Sequence, residues 1–343
     1  MVVDPMKICA FVHFAVPFRN AGSETMLHAM LKSLAAAGHD VTVVTTDTPQ
    51  APQQYQWDGI QGLSRPGPYA AAAAVRDLAP DVVLTQHQNT PVALDLARAI
   101  GSKSVFLMHN DFDLNRAYLE RSPDLVVFNT DWIAEQYRDQ VPRSLVVHPP
   151  VWAEQHATEP GDCITLVNCN RDKGAAHLYY LAMRIPEVRF LGVIGAHGQQ
   201  IRVGGRNVEI VEHTTDMRRD VWSRTRVLIM PSVYESYGMA GVEALASGIP
   251  VVAAPTPGLR ESLGDAGVFV DRDDMDGWEA ALRELLDPAA YEAASARARA
   301  RSAELDPTAE LDAFVQAVEE VSGHARPRQR RRPRGAPRKA ADS

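Results

Sequence analysis

The sequence predicts two doubly wound α/β domains, and three observations carry that expectation. Short apolar runs rich in Val, Ile and Leu alternate with helical stretches along nearly the whole chain, the pattern of β-α-β units wound around a parallel sheet. The chain has 343 residues, 45% of them hydrophobic, enough for two cores of roughly 150 residues each. An aperiodic stretch rich in Pro and polar groups, His148-Pro149-Pro150 followed by WAEQHATEPGD, divides the two halves.

From Lys7 to Thr46 the order is an apolar strand (Ile8 to Phe14), a loop holding Gly22, a helix closed at Ala37-Gly38, and a strand (Val41 to Thr45). This is one β-α-β unit. Residues 49–68 read as a loop, with Tyr55 and Trp57 as aromatics for either an acceptor or packing. Helices follow near Tyr69 to Leu78, Pro91 to Ile100 and Trp132 to Asp139, interleaved with strands at Val82 to Thr85, Ser104 to Met108, Leu125 to Phe128 and Leu145 to Val147. After the divider, strands are expected at Cys163 to Val167, Val188 to Val193, Val208 to Val211 and Val227 to Met230. Helices are expected at Ala175 to Arg184, Met217 to Ser223, Met275 to Leu286 and Ala289 to Ala303. Pro307 separates a last amphipathic helix, roughly Ala309 to Val321. The resulting units are 1–150, 151–305, a closing helix over 306–323 and a tail over 324–343.

Charge is unevenly placed. The formal net charge is −8, yet residues 324–343 hold eight Arg or Lys against one Asp, a local +7 that leaves −15 on the remainder. Such a tail, almost without apolar residues, is expected to be disordered, with at most weak contact with an anionic membrane surface. The acidic body argues against a nucleic-acid partner. No apolar run approaches the roughly 20 residues a bilayer-spanning helix needs. The start, MVVDPMKICAFVHF, lacks a basic region followed by a signal-like stretch, so a cytoplasmic protein is expected. Cys9, Cys163 and Cys169 form no CxxC pair and read as small buried hydrophobes. Oligomeric state is left open.

The most informative segment is PSVYESYGMAGVEALASGIP, Pro231 to Pro250. A buried strand stops at Pro231, and a helical pattern opens at Gly238 and is closed by Gly248 and Pro250. Glu235 then sits on the turn and Glu243 in the helix. A turn feeding a helix N-terminus presents free N–H groups, so Gly238-Met239-Ala240 suits a phosphate, while two nearby carboxylates suit sugar hydroxyls. Taken alone, the two glutamates could equally be a surface turn residue and a dipole-complementing helix residue. Pro-Ser before Glu235, Tyr237-Gly238 after it, Glu243-Ala244 and Gly248-Ile249-Pro250-Val251-Val252 together resemble the signature of family 4 glycosyltransferases, retaining enzymes of the GT-B fold.

That resemblance covers nearly all of residues 7–320 and is strongest in the second half. It implies an N-terminal acceptor-binding domain, a C-terminal nucleotide-sugar-binding domain, and a last helix crossing back to the first domain. It implies that Glu235 holds hydroxyls of the donor sugar and Glu243 those of the ribose. Lys173-Gly174 matches the family's diphosphate-gripping lysine, but its arginine position is occupied here by Asn168, which donates a hydrogen bond and no charge. Arg171 is the alternative cation. Gly22, in Ala21-Gly22-Ser23-Glu24, stands where such enzymes let backbone approach the donor, although Ser23 also reads as an ordinary helix cap. His109, at the carboxyl end of VFLMH, falls where members place a histidine near the transferred sugar. Asp111 and His13 are acceptor-side candidates, and Tyr237, Met239 and Thr215 donor-side ones, His213 standing where the base loop usually has glycine. No cofactor is implied. No His-Cys-carboxylate cluster has metal-ligand spacing, so catalysis without a metal is expected. The partners implied are a nucleotide-diphosphate sugar, UDP or GDP, and a small-molecule or glycoconjugate acceptor. The alternatives are a GT-B-type nucleotide-sugar epimerase and a non-catalytic scaffold that binds the nucleotide sugar.

Overall fold

Both sheets are parallel, apart from one edge hairpin. The computed structural model describes residues 4–48, 50–195 and 198–324; the expected disordered tail, His324 apart, lies outside them. The first sheet contains β1 (Lys7–Val12), β2 (Asp40–Thr45), β3 (Gln54–Trp57), β4 (Ile60–Ser64), β5 (Val82–Gln86), β6 (Lys103–Met108), β7 (Leu125–Phe128) and β8 (Ser144–Val146). Its order is β3-β4-β2-β1-β5-β6-β7-β8, with only β3 and β4 antiparallel. The second sheet contains β9 (Cys163–Val167), β10 (Phe190–Val193), β11 (Val208–Val211), β12 (Thr225–Met230), β13 (Val251–Ala253) and β14 (Gly267–Phe269), in the order β11-β10-β9-β12-β13-β14.

Helices cover both faces of each sheet, so the central strands must be apolar on both sides. Every residue of β5 and of β7 is buried. The first domain's core joins β1 and the helix Gly22–Ala36 to Leu311, Phe314, Val315 and Val318 of the helix Thr308–Ser322. That helix returns to the N-terminal domain, where His39 Nε2 and Glu319 Oε1 meet at 3.4 Å, each side chain 1% exposed. Met6 N donates to His39 Nδ1, leaving Nε2 to carry the proton toward Glu319.

Several local expectations change. Residues 54–64 are not loop but a hairpin turning at Asp58-Gly59, whose φ values of 48° and 81° are those a two-residue hairpin turn requires. Residues Asp113–Leu119 form a helix that the sequence pattern does not show. The divider contains a short helix, Ala153–His156. The expected helix after β11 is one turn, Met217–Asp220, capped by Asp216, followed by a 3-10 turn.

In both sheets the strand order reverses where the chain leaves to the opposite side, between β1 and β5 and between β9 and β12. Ligands of open α/β sheets bind outside the carboxyl ends of the strands at such points. Here the two face each other.

Candidate active site

The cleft between the domains has two connected halves of about 750 Å³ each, which share Ala21, Gly22, Val167, Asn168, Met239 and Ala240. His13 follows β1, His87 follows β5 and His109 follows β6; Asn168 to Lys173 follow β9, and Pro231 to Gly238 follow β12. A few residues past each strand end thus supply most of the chemistry.

In the first half, Lys173 Nζ lies 2.6 Å from Glu235 Oε1. Ser232 Oγ donates to the same oxygen at 2.9 Å, and Lys173 Nζ also reaches the Tyr234 carbonyl at 3.4 Å. The ammonium and carboxylate hold each other at one spot in the cleft, both partly shielded, at 28% and 14% exposure. Gly238, with φ at 90°, starts the helix Met239–Leu245, and a Cβ there would meet Leu259 Cδ2 at 2.6 Å. Only glycine serves. That helix has seven residues, so the N–H groups of its first turn matter more than any long-range dipole. Across the cleft, a Cβ on Gly22 would sit 3.3 Å from Met239 Sδ, bringing the start of the helix Gly22–Ala36 against the donor-side loop.

Asn168 and Arg171 divide. Asn168 has φ at 69° and lines both halves. Its Oδ1 accepts from Gln200 Nε2 at 2.8 Å and from Asn170 Nδ2 at 3.0 Å, so what the fixed carboxamide can offer an anion is its own N–H pair. Arg171 is exposed and lines neither half, contrary to its candidacy as the second cation. The left-handed turns at Asn168 and Gly174 send it outward and bring Lys173 in.

The opposite wall is N-terminal. His13, 7% exposed, and His109, 6% exposed, flank His87, with ring centroids 5.3 and 5.1 Å apart. Burial holds His109 well below the usual histidine range, and the neighbouring His87 and His13 add to this, so it is neutral at pH 7. Gln86 Oε1 lies 2.7 Å from His109 Nε2; with that oxygen accepting, Nε2 bears the proton and Nδ1 is free to accept. Arg19 lies over the Phe14 ring at 4.5 Å and lines this half with Glu24. Burial raises the Glu24 carboxyl, opposed by its backbone, by the Ser23 hydroxyl at 3.0 Å and by Arg19. Asp111 is not part of the lining; its Oδ1 accepts the Tyr234 hydroxyl across the cleft at 2.9 Å. Arg19 and His87 are residues the sequence reading passed over. His87 had a readable signal, since it follows β5 directly as His109 follows β6.

Glu243 and Thr215 line the second half with His213, Ile194 and His156. Burial pushes the Glu243 carboxyl up to about 7, with the Trp222 indole opposing. His156 Nδ1 is 3.7 Å from Glu243 Oε2, and burial lowers its imidazole. Thr214 Oγ1 donates to Asp220 Oδ2 at 2.5 Å, fixing the loop that presents Thr215. Tyr237, 3% exposed, packs with Val151 and Val242, and its ring faces His148 at 5.3 Å. Among the described residues one grouping brings three metal-type ligands within 4.8 Å, Asp131, His148 and Glu261. It sits at the domain hinge, and both imidazole nitrogens are engaged with carboxylates, Glu261 Oε1 at 2.7 Å and Glu310 Oε1 at 2.8 Å.

Two parallel-sheet domains meeting at a cleft, with a switch point on each side, define the GT-B fold. Solved structures agree. Sucrose-phosphate synthase from Thermosynechococcus elongatus superposes with a TM-score of 0.77 at 17% identity, covering 93% of this chain and 100% of that one. HepE from Anabaena, solved with UDP and glucose, gives 0.73 at 15% identity, covering 93% and 99%.

Residues 21–154 match the family model described as Glycosyltransferase Family 4, and residues 175–288 that described as Glycosyl transferases group 1. The chain belongs to family 4 of the glycosyltransferases. Among curated relatives, O-antigen chain mannosyltransferase B of Escherichia coli is 36% identical over 83 residues, 24% of this chain and 22% of that protein. D-inositol 3-phosphate glycosyltransferase of Mycolicibacterium smegmatis is 31% identical over 132 residues, 34% and 30% respectively. These alignments span less than a third of the relatives' own length. No helix among the described residues is long and apolar enough to cross a membrane.

Proposed function

We propose that this chain transfers a hexose-type sugar from a nucleotide-diphosphate sugar, UDP- or GDP-linked, to a hydroxyl of an acceptor, with retention and without a metal. The observation that carries the reading is the Lys173–Glu235 pair, held at 2.6 Å where the second sheet's strand order reverses, in one cleft with Glu243. The complex of HepE with UDP and glucose supports the donor class.

In this reading a departing diphosphate needs positive charge and N–H donors as an oxocarbenium-like centre develops. Lys173, the first-turn amides after Gly238 and the Asn168 amide supply them. Donor binding draws Lys173 toward phosphate and releases Glu235 to accept sugar hydroxyls; acceptor-only carboxylates suit that task, and Glu243 has the same chemistry toward ribose. Neutral His109, with Nδ1 as acceptor, orients a hydroxyl at the sugar end without adding charge near the developing cation. The acceptor oxygen attacks the face that the diphosphate leaves, and the leaving oxygen takes its proton. No side-chain nucleophile is required.

The test is a panel of UDP-, GDP-, ADP- and dTDP-sugars, scored by thermal shift and then by product analysis with an acceptor pool, the product's anomeric configuration being read by NMR. Transfer with retention, undiminished by EDTA, supports the reading; an inverted product or loss of activity on chelation overturns those parts of it. An epimerase would convert the nucleotide sugar with no acceptor present. Asn168 in place of the family's arginine favours one second reading, a scaffold that binds donor without transfer, which binding without any product would establish.

A further inference from the structure

The loop that carries Glu235 is gripped from the other domain. Immediately before Glu235, the Tyr234 hydroxyl donates to Asp111 Oδ1 at 2.9 Å, and its ring lies 5.1 Å from that of Phe112. Immediately after it, Ser236 takes two bonds from the N-terminal domain: Trp132 Nε1 donates to its carbonyl at 2.9 Å, and Asn129 Nδ2 to its hydroxyl at 3.2 Å. Glu261 of the donor domain returns the grip. Its two carboxylate oxygens accept from Asp131 N at 2.7 Å and Trp132 N at 2.9 Å, the first amides of the helix Asp131–Tyr137. Those N–H groups have no partner within their own helix, so an opposed carboxylate satisfies them at little cost. Trp132 is thereby bound at its backbone by one donor-domain residue and at its indole by another.

We infer that Trp132, locked by Glu261, is a positioning residue that makes the placement of Glu235 depend on domain closure. This rests on the reading of Glu235 as the donor-sugar carboxylate. When the domains separate, the bonds to Tyr234 and Ser236 break together, and Glu235 loses fixed neighbours on both sides. The second half is lined from both domains, but the two groups assigned to the nucleoside, Thr215 and Glu243, lie in the donor domain and take no bond from the grip. Nucleotide binding therefore does not need the grip, whereas presentation of the sugar does. A catalytic group displaced by about an ångström loses on the order of a hundredfold in rate, so such a grip acts on turnover more than on affinity.

The full-length chain is compared with Trp132→Phe, which keeps an aromatic ring and loses the indole donor, and with Ser236→Ala, which loses only the Asn129 bond. UDP is the binding probe, and the best donor of the panel the substrate. For Trp132→Phe, kcat falls about tenfold or more while the Kd for UDP stays within about twofold; Ser236→Ala shows the same split more weakly. Small-angle scattering with UDP present gives a larger radius of gyration for Trp132→Phe than for the parent. In the double variant Trp132→Phe/Glu235→Gln, kcat is no lower than in Glu235→Gln alone, since Trp132 acts through Glu235. Unchanged kcat with unchanged scattering, or additive losses in the double variant, overturns the coupling. A normal rate for Glu235→Ala would instead defeat the role given to Glu235, leaving the scattering result to report on closure by itself.

Discussion

Replacing His148 with Gln removes an imidazole that joins three parts of the fold. His148 ends the segment after β8 and lies between Glu261, after β13, and Glu310 on the returning helix, with nitrogen-to-oxygen distances of 2.7 and 2.8 Å. The Tyr237 ring packs beside it and Asp131 completes the acidic surroundings. Burial alone would lower its pKa, but the bonds and charges of the two glutamates outweigh that and raise it from 6.5 to about 9. At about 1.4 kcal/mol for each tenfold shift, the difference sets a ceiling of about 3 kcal/mol. Glu310 is 37% exposed, and solvent screening brings the expected contribution to about 1–2 kcal/mol. A histidine raised in the folded state stabilises fully below its unfolded value of 6.5 and loses that contribution as pH rises through about 9. The assay is thermal unfolding of both proteins from about pH 6 to about pH 10. His148→Gln should melt about 1.5–3 °C lower at neutral pH, and the gap should close toward the alkaline end. A gap that stays constant with pH would show lost packing rather than lost charge and would refute this account.

Three further outcomes are expected. Glu235→Ala and Lys173→Ala should each lower kcat/KM by about 10²- to 10³-fold with little change in melting temperature, and the double variant should lose less than the two losses combined, because the side chains share one contact; near-normal transfer by both single variants would remove them from the site. Since burial sets Glu243 near pH 7 and ribose hydroxyls need the ionised form, calorimetric affinity for UDP should weaken below that pH by up to about tenfold per unit, with proton release on binding; Glu243→Gln should flatten the profile, and a flat parent profile would dissociate Glu243 from the ribose. His39→Ala removes the Nε2–H that faces buried Glu319 and should cost about 1–3 kcal/mol, read as faster hydrogen exchange along Thr308–Ser322; unchanged protection there would show that the apolar face alone holds the helix.

The central strands were legible because parallel sheets covered on both faces need largely apolar runs, and the VVL that opens β5 and the LVVF of β7 are such runs. Edge elements lack that constraint. QYQW of β3 is largely exposed and pairs on one side only, so its composition says little. The readable sign was Asp58-Gly59, a hairpin turn pair, set among flanking prolines that pointed to loop. The helix Asp113–Leu119 escaped for a related reason: it is only seven residues long, with Leu114 69% exposed, and shows no apolar stripe long enough to register as a period.

At the cleft, what could be read was what the chain places close together. Glu235, Gly238 and Glu243 belong to one turn and one helix after β12, where separation in sequence stands in for separation in space. Proximity misled at Arg171, because which way a side chain leaves β9 depends on left-handed turns at Asn168 and Gly174; asparagine and glycine favour such turns, but their presence does not fix where one falls. The grip on the donor loop was beyond reach altogether. Trp132 and Ser236 are 104 residues apart, and Asp131 and Glu261 are 130 apart; each in isolation resembles an ordinary packing or surface residue. Their meaning appears only once two sheets are docked with their switch points opposed, since docking turns the unbonded first amides of one domain's helix into partners for a carboxylate of the other.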